Sequence, residues 1–202
     1  MPAPAKTSDD DIVRAARRIV ERDGPEALSM QAVADAVGVR APSLYKRFPH
    51  KDALLDAVAR QAIAELRAKL QAASRDGLVK MAHVYRAFAK RWPGLYALLF
   101  TARDEAPDLV TARAQAVAPV LAVLATVVDA PDRLHAARLL TAYIHGFVSM
   151  ELAGAFRLGG DVQAAFDFGI ETLVRALKRR ADPRESDGKD PGTRRKRTPR
   201  SR

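Results

Sequence analysis

Ser29 to Phe48 read SMQAVADAVGVRAPSLYKRF, a pattern that predicts two short helices joined by a tight turn. Helices joined in this way cross at a steep angle, so the turn needs a residue that tolerates positive φ, and the crossing needs a small side chain. Gly38 and Ala34 meet these two needs. Pro42 suits the first turn of the second helix, where its missing N–H would have no partner in any case. The apolar faces that would lock the pair are supplied by Val33, Val37, Val39 and Leu44.

The second of these helices carries a local excess of positive charge. Between Arg40 and Lys51 there are four basic residues and no acidic residue. Residues 1–60 as a whole are almost balanced, with 10 basic and 9 acidic side chains. Basic side chains clustered on one helix are typical of proteins that bind nucleic acid. The pattern therefore predicts that the outer face of this helix enters the major groove of DNA.

The net charge of the whole chain also favours nucleic-acid binding, but most of that charge lies outside this helix. The 202 residues carry a net charge of +10, from 34 Lys and Arg against 24 Asp and Glu. Most of this surplus lies in residues 178–202, which hold 11 basic and 4 acidic side chains and almost no apolar ones. Such a composition cannot bury enough apolar surface to fold. The tail is expected either to be a solubilising extension or to add sequence-independent, salt-sensitive affinity for DNA.

The remainder of the chain predicts an all-α protein, because its apolar residues return with the 3.6-residue period of a helix and no alternating β-branched run interrupts them. Ser8 and Ser29 are suited to cap helices, and Gly and Pro residues mark the ends. The expected helices span residues 8–23, 29–37, 42–48, 51–73, 78–91, 94–102, 108–129, 132–156 and 162–180.

Several classes of protein are excluded by what the sequence lacks. Without Cys, the chain has no disulfide framework, thiolate metal site or cysteine nucleophile. Its four His residues do not have the spacing of metal ligands, and no hydrolase or nucleotide-binding motif occurs. We therefore predict no catalytic residue, no metal and no cofactor. The apolar stretches are shorter than a membrane span and the N-terminus lacks a signal-peptide core, so a cytoplasmic protein without membrane contact is expected.

Gly38 to Ala59 read GVRAPSLYKRFPHKDALLDAVA, and this segment resembles the tetracycline-repressor (TetR) family of bacterial transcriptional regulators. Gly38 matches the turn glycine, Leu44 and Tyr45 match the Leu-Tyr pair of the recognition helix, and Lys51 matches the start of the next helix. The resemblance implies base contacts from the N-terminal half of the recognition helix and phosphate contacts around it. The residues implied are Ser29, Arg40, Ala41, Pro42, Ser43, Tyr45, Lys46 and Lys51. Outside such a motif, an exposed Lys or Arg is usually only solvated.

A single short recognition helix contacts too few bases for useful specificity, so a homodimer on a palindromic operator is expected. Apolar stripes on the last two helices are the natural interface. They comprise Ile144, Val148 and Leu152, followed by Phe166, Ile170, Leu173 and Leu177. The alternative is that these stripes pack within one subunit, because a stripe does not say whose helix it meets.

Residues 143–154 also resemble the C-terminal domain of one TetR branch that carries a Trp-His-Gly signature, although Tyr143 precedes His145 here and the segment has no Trp. In the family, this domain usually binds a small molecule that weakens DNA affinity. An aromatic lining would suit an apolar or aromatic effector. The candidate lining residues are Tyr85, Phe88, Trp92, Tyr96, Tyr143 and Phe147. Their alternative role is ordinary core packing.

The sequence thus predicts an N-terminal three-helix helix-turn-helix domain followed by a helical ligand-binding and dimerisation domain. The expected divisions are a flexible start at residues 1–7, a DNA-binding domain at 8–60, an effector and dimerisation domain at 61–181 and the basic tail at 182–202. The resemblance implies a non-enzymatic repressor that a small ligand releases from its DNA operator. Two other hypotheses are an architectural DNA-coating protein, which would show no preference for a palindrome, and an all-α enzyme.

Overall fold

The computed structural model describes residues 7–100 and 106–181, and within these ranges the chain is helical and has no strand. This confirms the all-α prediction. The elements are α1 (Asp9–Asp23), α2 (Met30–Val37), α3 (Ala41–Tyr45), α4 (Lys51–Ala73), α5 (Gly77–Arg91), α6 (Pro93–Phe100), α7 (Pro107–Leu124), α8 (Arg133–Leu152) and α9 (Val162–Ala181). The predictions for residues 1–6 and 182–202 lie outside the described residues.

Three predicted helices are shorter than expected. Helix α3 ends at Tyr45 because the amides of Arg47 and Phe48 both turn back to the Leu44 carbonyl. Helix α7 ends at Leu124 rather than residue 129, in a series of turns before the short 3-10 segment Ala130–Asp132. Helix α8 ends at Leu152, because Gly154 adopts positive φ and the Ala155 amide folds back to the Met150 carbonyl.

Helices α1 to α3 and the start of α4 share one apolar core. Ile12 on α1, Val33 on α2, Leu44 on α3 and Leu54 on α4 are each at most 1% exposed. Gly38 caps α2 at φ 70°, ψ 32°, in the left-handed region that favours glycine. The tight turn predicted between the two short helices is therefore present.

Helix α4 leads away from this N-terminal core and forms the scaffold of the rest of the chain. Its 23 residues span about 34 Å at the usual rise of a helix. Helix α7 runs parallel to it, since Arg60 pairs with Asp108 and Arg67 donates to Gln115 at 3.1 Å. Because α4 passes unbroken through residue 60, the predicted division there stays a prediction.

Helix α7 meets the length and composition of a membrane span, with 18 residues and a mean hydropathy of 1.2. The sequence predicts apolar stretches shorter than this one, of which 17% is buried within the chain. Asp108 and Gln115 on α7 pair with Arg60 and Arg67 on α4.

Helix α6 sits directly on α1. A Cβ at Gly94 would lie 2.2 Å from the Val20 carbonyl oxygen, so only glycine allows this approach. The Leu95 amide, in the first turn of α6, donates to the Glu21 carboxylate at 2.9 Å. The N-terminal core and the C-terminal helices are thus joined through α6 as well as through α4.

The stripes predicted as a dimer interface lie largely inside the single chain, which corrects that expectation. Five of the seven residues are at most 9% exposed, namely Ile144, Val148, Phe166, Ile170 and Leu177. They are buried because α8 and α9 turn these faces towards each other and towards α5. Leu173 is half-buried, and Leu152 is 42% exposed.

A buried ion pair ties α5, α8 and α9 together. The Arg86 side chain is 6% exposed, and its Nε and Nη2 donate to both carboxylate oxygens of Glu151 at 2.7 and 2.9 Å. Arg86 also donates to Gln163 and lies 4.7 Å from the centre of the Phe166 ring. Lys90 adds a further bond to Glu151 at 2.6 Å. These bonds lower the pKa of the Glu151 carboxyl, with Arg86 making the largest contribution.

Replacing Arg86 with Met should lower the free energy of unfolding by about 3–5 kcal/mol, because Glu151 would lose its main partner in a buried position. The double variant Arg86→Met with Glu151→Leu should recover most of this loss, because it removes both charges. Denaturant unfolding followed by circular dichroism measures the two values. A single variant at least as stable as the double variant would contradict this account of the cluster.

Candidate nucleic-acid interface and internal cavity

Helix α3 presents its polar side chains to solvent and packs against the protein through Leu44, with the half-buried Ala41 also against the core. Leu44 is 1% exposed, whereas Tyr45 is 51% exposed on the outer face. The other predicted contact residues of this helix and its N-cap are exposed except for the half-buried Ala41; they are Arg40, Pro42, Ser43 and Lys46. The structure therefore brings these six residues together on one surface.

The remaining predicted contact residues have partners within the protein. The Lys51 ammonium donates to the Glu26 carbonyl at 3.0 Å. The Ser29 hydroxyl accepts from the Ala32 amide at 3.1 Å and so caps α2. Both lie beside the N-terminus of a helix, where the backbone favours an anion. A phosphate there would take over bonds that the protein now makes internally.

Two further residues of the basic segment also have structural roles. Arg47 donates to the Thr7 carbonyl and pairs with Asp9 at 3.0 Å, which ties α3 to the start of α1. His50 accepts from the Ala53 amide at 3.1 Å through Nδ1 and so caps α4. Within the described residues, the prominent solvent-facing cations of this surface are therefore Arg40 and Lys46.

The second candidate site is a half-open apolar cavity of about 230 Å³ lined by α4 to α9. Its wall is formed by aliphatic side chains together with a few larger or polar groups. Those groups are Tyr85, Phe100, Arg113 and Thr141. Such a cavity, apolar with a few polar groups, is typical of a small-molecule site.

Of the six aromatic residues predicted to line a pocket, Tyr85 lies on this wall. Phe88 and Trp92 instead border a separate groove between α4 and α5, where Trp92 lies between the guanidinium groups of Arg17 and Arg91. The predicted cluster is divided because Phe88 lies on the part of α5 that borders this groove, and because the Trp92 backbone leaves the helical conformation after Arg91.

The other three predicted aromatic residues lie beside the cavity rather than on its wall. Tyr143 and Phe147 pack against Phe166, with ring centres 5.9 and 5.2 Å apart. Tyr96 is 3% exposed and packs between Tyr85 and His145. The structure does not bring all six together at one site.

A series of aromatic contacts leads from the cavity wall into the protein. Tyr85 packs edge-on against Tyr96, with ring centres 5.8 Å apart, and the Tyr96 hydroxyl lies 2.6 Å from Nδ1 of His145. Phe100 stacks on the His145 ring, with the ring centres 3.9 Å apart. Burial lowers the pKa of His145, so its ring is neutral at pH 7 and Nδ1 can accept. Sequence reasoning missed His145 as part of this site, because an isolated His carries no signal about its partners.

Two family models match separate parts of the chain. Residues 12–58 match bacterial regulatory proteins of the tetR family. Residues 78–173 match the tetracyclin repressor-like C-terminal domain. The two matches cover the exposed recognition surface and most of the cavity wall, respectively.

Three known proteins illustrate the similarity. The HTH-type transcriptional regulator Rv0681 of Mycobacterium tuberculosis is 31% identical over 186 residues, covering 88% of this chain and 84% of that protein. A structure from Rhodococcus sp. RHA1 superposes with a TM-score of 0.75 at 24% identity, over 88% of this chain and 100% of that one. A TetR variant from Acinetobacter baumannii AYE, in complex with minocycline, has a TM-score of 0.63 at 21% identity, over 87% and 99% of the two chains.

His145 should titrate below the ordinary value of 6.5, because it is half-buried. Its neutral form is then favoured by folding, so its contribution to stability is complete above pH 6.5 and declines as the pH falls towards the folded-state pKa. Tyr96→Phe should raise the His145 pKa, because the Tyr96 hydroxyl, 2.6 Å from Nδ1, can donate to the neutral ring and not to the charged one. Imidazole NMR titration measures this, with Tyr143→Phe as a control that leaves the pKa unchanged. An unshifted pKa in the wild-type protein would contradict this account of His145.

Proposed function

We propose that this chain, which belongs to the tetR family of bacterial DNA-binding transcriptional regulators, is a homodimeric repressor that a small ligand releases from a palindromic operator. The exposed face of α3 is the observation that carries the DNA-binding part of the proposal. Its N-cap Arg40 and Ser43 face base edges in this proposal, and Tyr45 and Lys46 follow at the C-terminal end of the helix. Arginine suits a guanine edge, and a tyrosine ring suits a thymine methyl group.

Phosphate contacts would fix this helix in the groove. Lys51 and Ser29 lie at the N-termini of α4 and α2, where backbone amides add to their attraction for an anion. Lys51 would exchange the Glu26 carbonyl for a phosphate oxygen, which is a stronger acceptor for a cation. Contacts of this kind set orientation, whereas the α3 side chains set sequence preference.

Dimerisation is supported by the outer face of α8 and α9. Gly146 on α8 has open space where a side chain would be, and its neighbours on the same face are small or apolar. Phe168 on α9 is 76% exposed, and Met150 on α8 is 48% exposed. A second copy that packs here would bury these side chains and place the two α3 helices on successive turns of one DNA groove.

Ligand release is supported by the cavity, which is lined by α4 to α9. Two wall residues, Leu99 and Phe100, belong to α6, and α6 contacts α1 through Gly94 and Leu95. A ligand that fits the cavity better when the α3 helices are wrongly spaced must weaken DNA binding by linkage. The A. baumannii structure with minocycline is a related fold that holds a small molecule. In this proposal the dimer represses transcription because, when it is bound at a promoter, it blocks access of RNA polymerase.

The double variant Tyr45→Ala with Lys46→Ala should lower affinity for the selected operator by at least about 30-fold, because each lost contact costs about 1–3 kcal/mol. Gel shift measures the affinity on a duplex that the wild-type protein has selected from a random pool. Lys69→Ala with Lys80→Ala removes two cations from the α4–α5 groove and should leave affinity nearly unchanged. Retained specific binding by the α3 variant would refute this interface, and equal binding to any sequence would favour an architectural protein.

Phe168→Glu should convert a dimer of the 22.0 kDa chain into a monomer, because it places a charge in the proposed interface. Val110→Glu makes the same change at a residue of α7 that is 54% exposed, and this variant should remain dimeric. Sedimentation velocity distinguishes the two states. A dimeric Phe168→Glu variant would place the interface elsewhere.

A further inference from the structure

The outer side of helix α8 is exposed but uncharged over about three turns. A Cβ at Gly146 would meet no atom within 4 Å, so this side contains a gap, whereas Phe168 on the outer side of α9 is 76% exposed and projects from it. Exposed positions without charge are typical of the core of a protein–protein interface. The exposed residues of α8 between positions 139 and 150 are Leu139, Thr141, Ala142, Gly146, Ser149 and Met150.

Helices α8 and α9 form an antiparallel hairpin in which the gap and the exposed ring are level. Asp132, directly before α8, pairs with Arg180 near the end of α9 at 2.9 Å. Gly146 lies 14 residues after Asp132, and Phe168 lies 12 residues before Arg180. At about 1.5 Å per residue, the two positions differ in level by about 3 Å. Gly146 and Phe168 are therefore almost equally far from the loop that joins the two helices.

The loop end of this hairpin lies on the side of the N-terminal core. Lys90, near the end of α5, donates to Glu151, near the end of α8, at 2.6 Å. Trp92 directly follows α5, and its ring centre lies 5.1 Å from the Arg17 guanidinium on α1. In a dimer that places both α3 helices on one duplex, the two N-terminal cores lie at the same end. The two-fold axis must therefore run roughly along the hairpin.

A two-fold axis in this direction determines which residues meet. It leaves every residue at its own level and places α8 of one subunit opposite α9 of the other. Gly146 therefore faces the partner's Phe168, and the same contact recurs on the other side of the axis. Each exposed ring has a gap opposite it.

This contact lies beside the open side of the cavity. Among the lining residues, Phe100 and Thr141 are the exposed ones. Phe100 stacks on His145, with the ring centres 3.9 Å apart, and His145 directly precedes Gly146 on α8. A ring seated at Gly146 would therefore border the Phe100–His145 pair.

We propose that the partner's Phe168 occupies the gap at Gly146, packs against the Phe100–His145 pair and closes the open side of the cavity, so that the second subunit completes each ligand site. This inference rests on the proposed function for the dimer and for the cavity as the effector site. It adds the register of the interface and a residue that the partner contributes. A molecule in the cavity is then shielded from water by the partner, so its affinity depends on the dimer.

Cysteine cross-linking tests the register, because the chain contains no native Cys. Gly146→Cys and Phe168→Cys are made as separate variants with different tags, co-expressed and oxidised, so that a disulfide between them must join two chains. We expect a covalent heterodimer, since a disulfide needs Cα atoms about 4.4–6.8 Å apart. The matched control pairs Phe168→Cys with Leu139→Cys, which lies on the same side of α8 about 10 Å further from the loop. Equal or greater cross-linking in the control pair would overturn the register.

A second test changes the gap and the ring together. Gly146→Leu fills the gap and should raise the dissociation constant of the dimer about 10-fold, because the contact becomes overpacked. Adding Phe168→Ala should recover part of this loss, since the leucine then takes the space that the ring has left. Ala118→Leu, at an exposed residue of α7, is the matched control and should leave the dimer unchanged. Sedimentation velocity measures each constant, and additive losses in the double variant would overturn a direct contact.

Naphthalene probes the closure of the cavity. An engineered apolar cavity of about 150 Å³ holds benzene, so one of about 230 Å³ suits two fused rings. Isothermal titration of the full-length dimer without DNA should give Phe168→Ala an affinity at least about 4-fold lower than wild type, the effect of leaving one methylene-sized part of the probe in water. Thr172→Ala, at an exposed residue one turn along α9, should leave the affinity unchanged. Equal affinity in Phe168→Ala, or no binding to the wild-type dimer, would overturn the closure.

The failure of this inference is distinguishable from the failure of the proposed function. A wild-type protein that sediments as a monomer would refute the dimer of the proposed function itself. A dimer in which residues 146 and 168 do not cross-link would overturn this inference and leave that proposal standing.

Discussion

The burial of Leu44 is the constraint on which the recognition surface depends. Helix α3 has five residues, too few to be stable alone, because the cost of starting a helix is recovered only over a longer run. Its orientation is therefore set by the buried Leu44, with Ala41 also against the core, and by the left-handed turn at Gly38. With Leu44 inside, Ser43 and Lys46 are directed outwards. Arg47 then fixes the far end of the helix to α1.

Helix α1 links this surface to the cavity through contacts at both of its ends. Helix α1 carries Arg47's partner Asp9 at one end, and Glu21 near its other end accepts from the α6 amide of Leu95. Burial raises the pKa of Glu21, yet the bond from Leu95 opposes that shift and helps to hold the carboxylate charged. Helix α6 ends at Phe100 on the cavity wall. A change in the cavity thus has a short packed route to the helix that holds the recognition surface.

The helices could be predicted from the sequence, because Gly and Pro residues mark their ends and apolar residues recur with the 3.6-residue period between those ends. It also placed the exposed residues of α3, since turn chemistry at Gly38 and Pro42 leaves little freedom. It could not show which helix an apolar stripe meets, so Phe166 and Ile170 were expected at an interface and lie in the core. The sequence could not show that the Lys51 ammonium donates to a backbone carbonyl, whereas other cations of this segment face solvent and are free to contact DNA. It also could not show that Tyr96 contacts His145.

The central claim is that α3 reads DNA as one of a symmetric pair. Selection of bound duplexes from a random pool, followed by sequencing, tests this claim most directly. The account predicts an inverted repeat whose half-sites are centred about 34–36 Å apart, one turn of B-DNA, or a multiple of that distance. Enrichment of a single unrepeated site, or of no sequence, would contradict it.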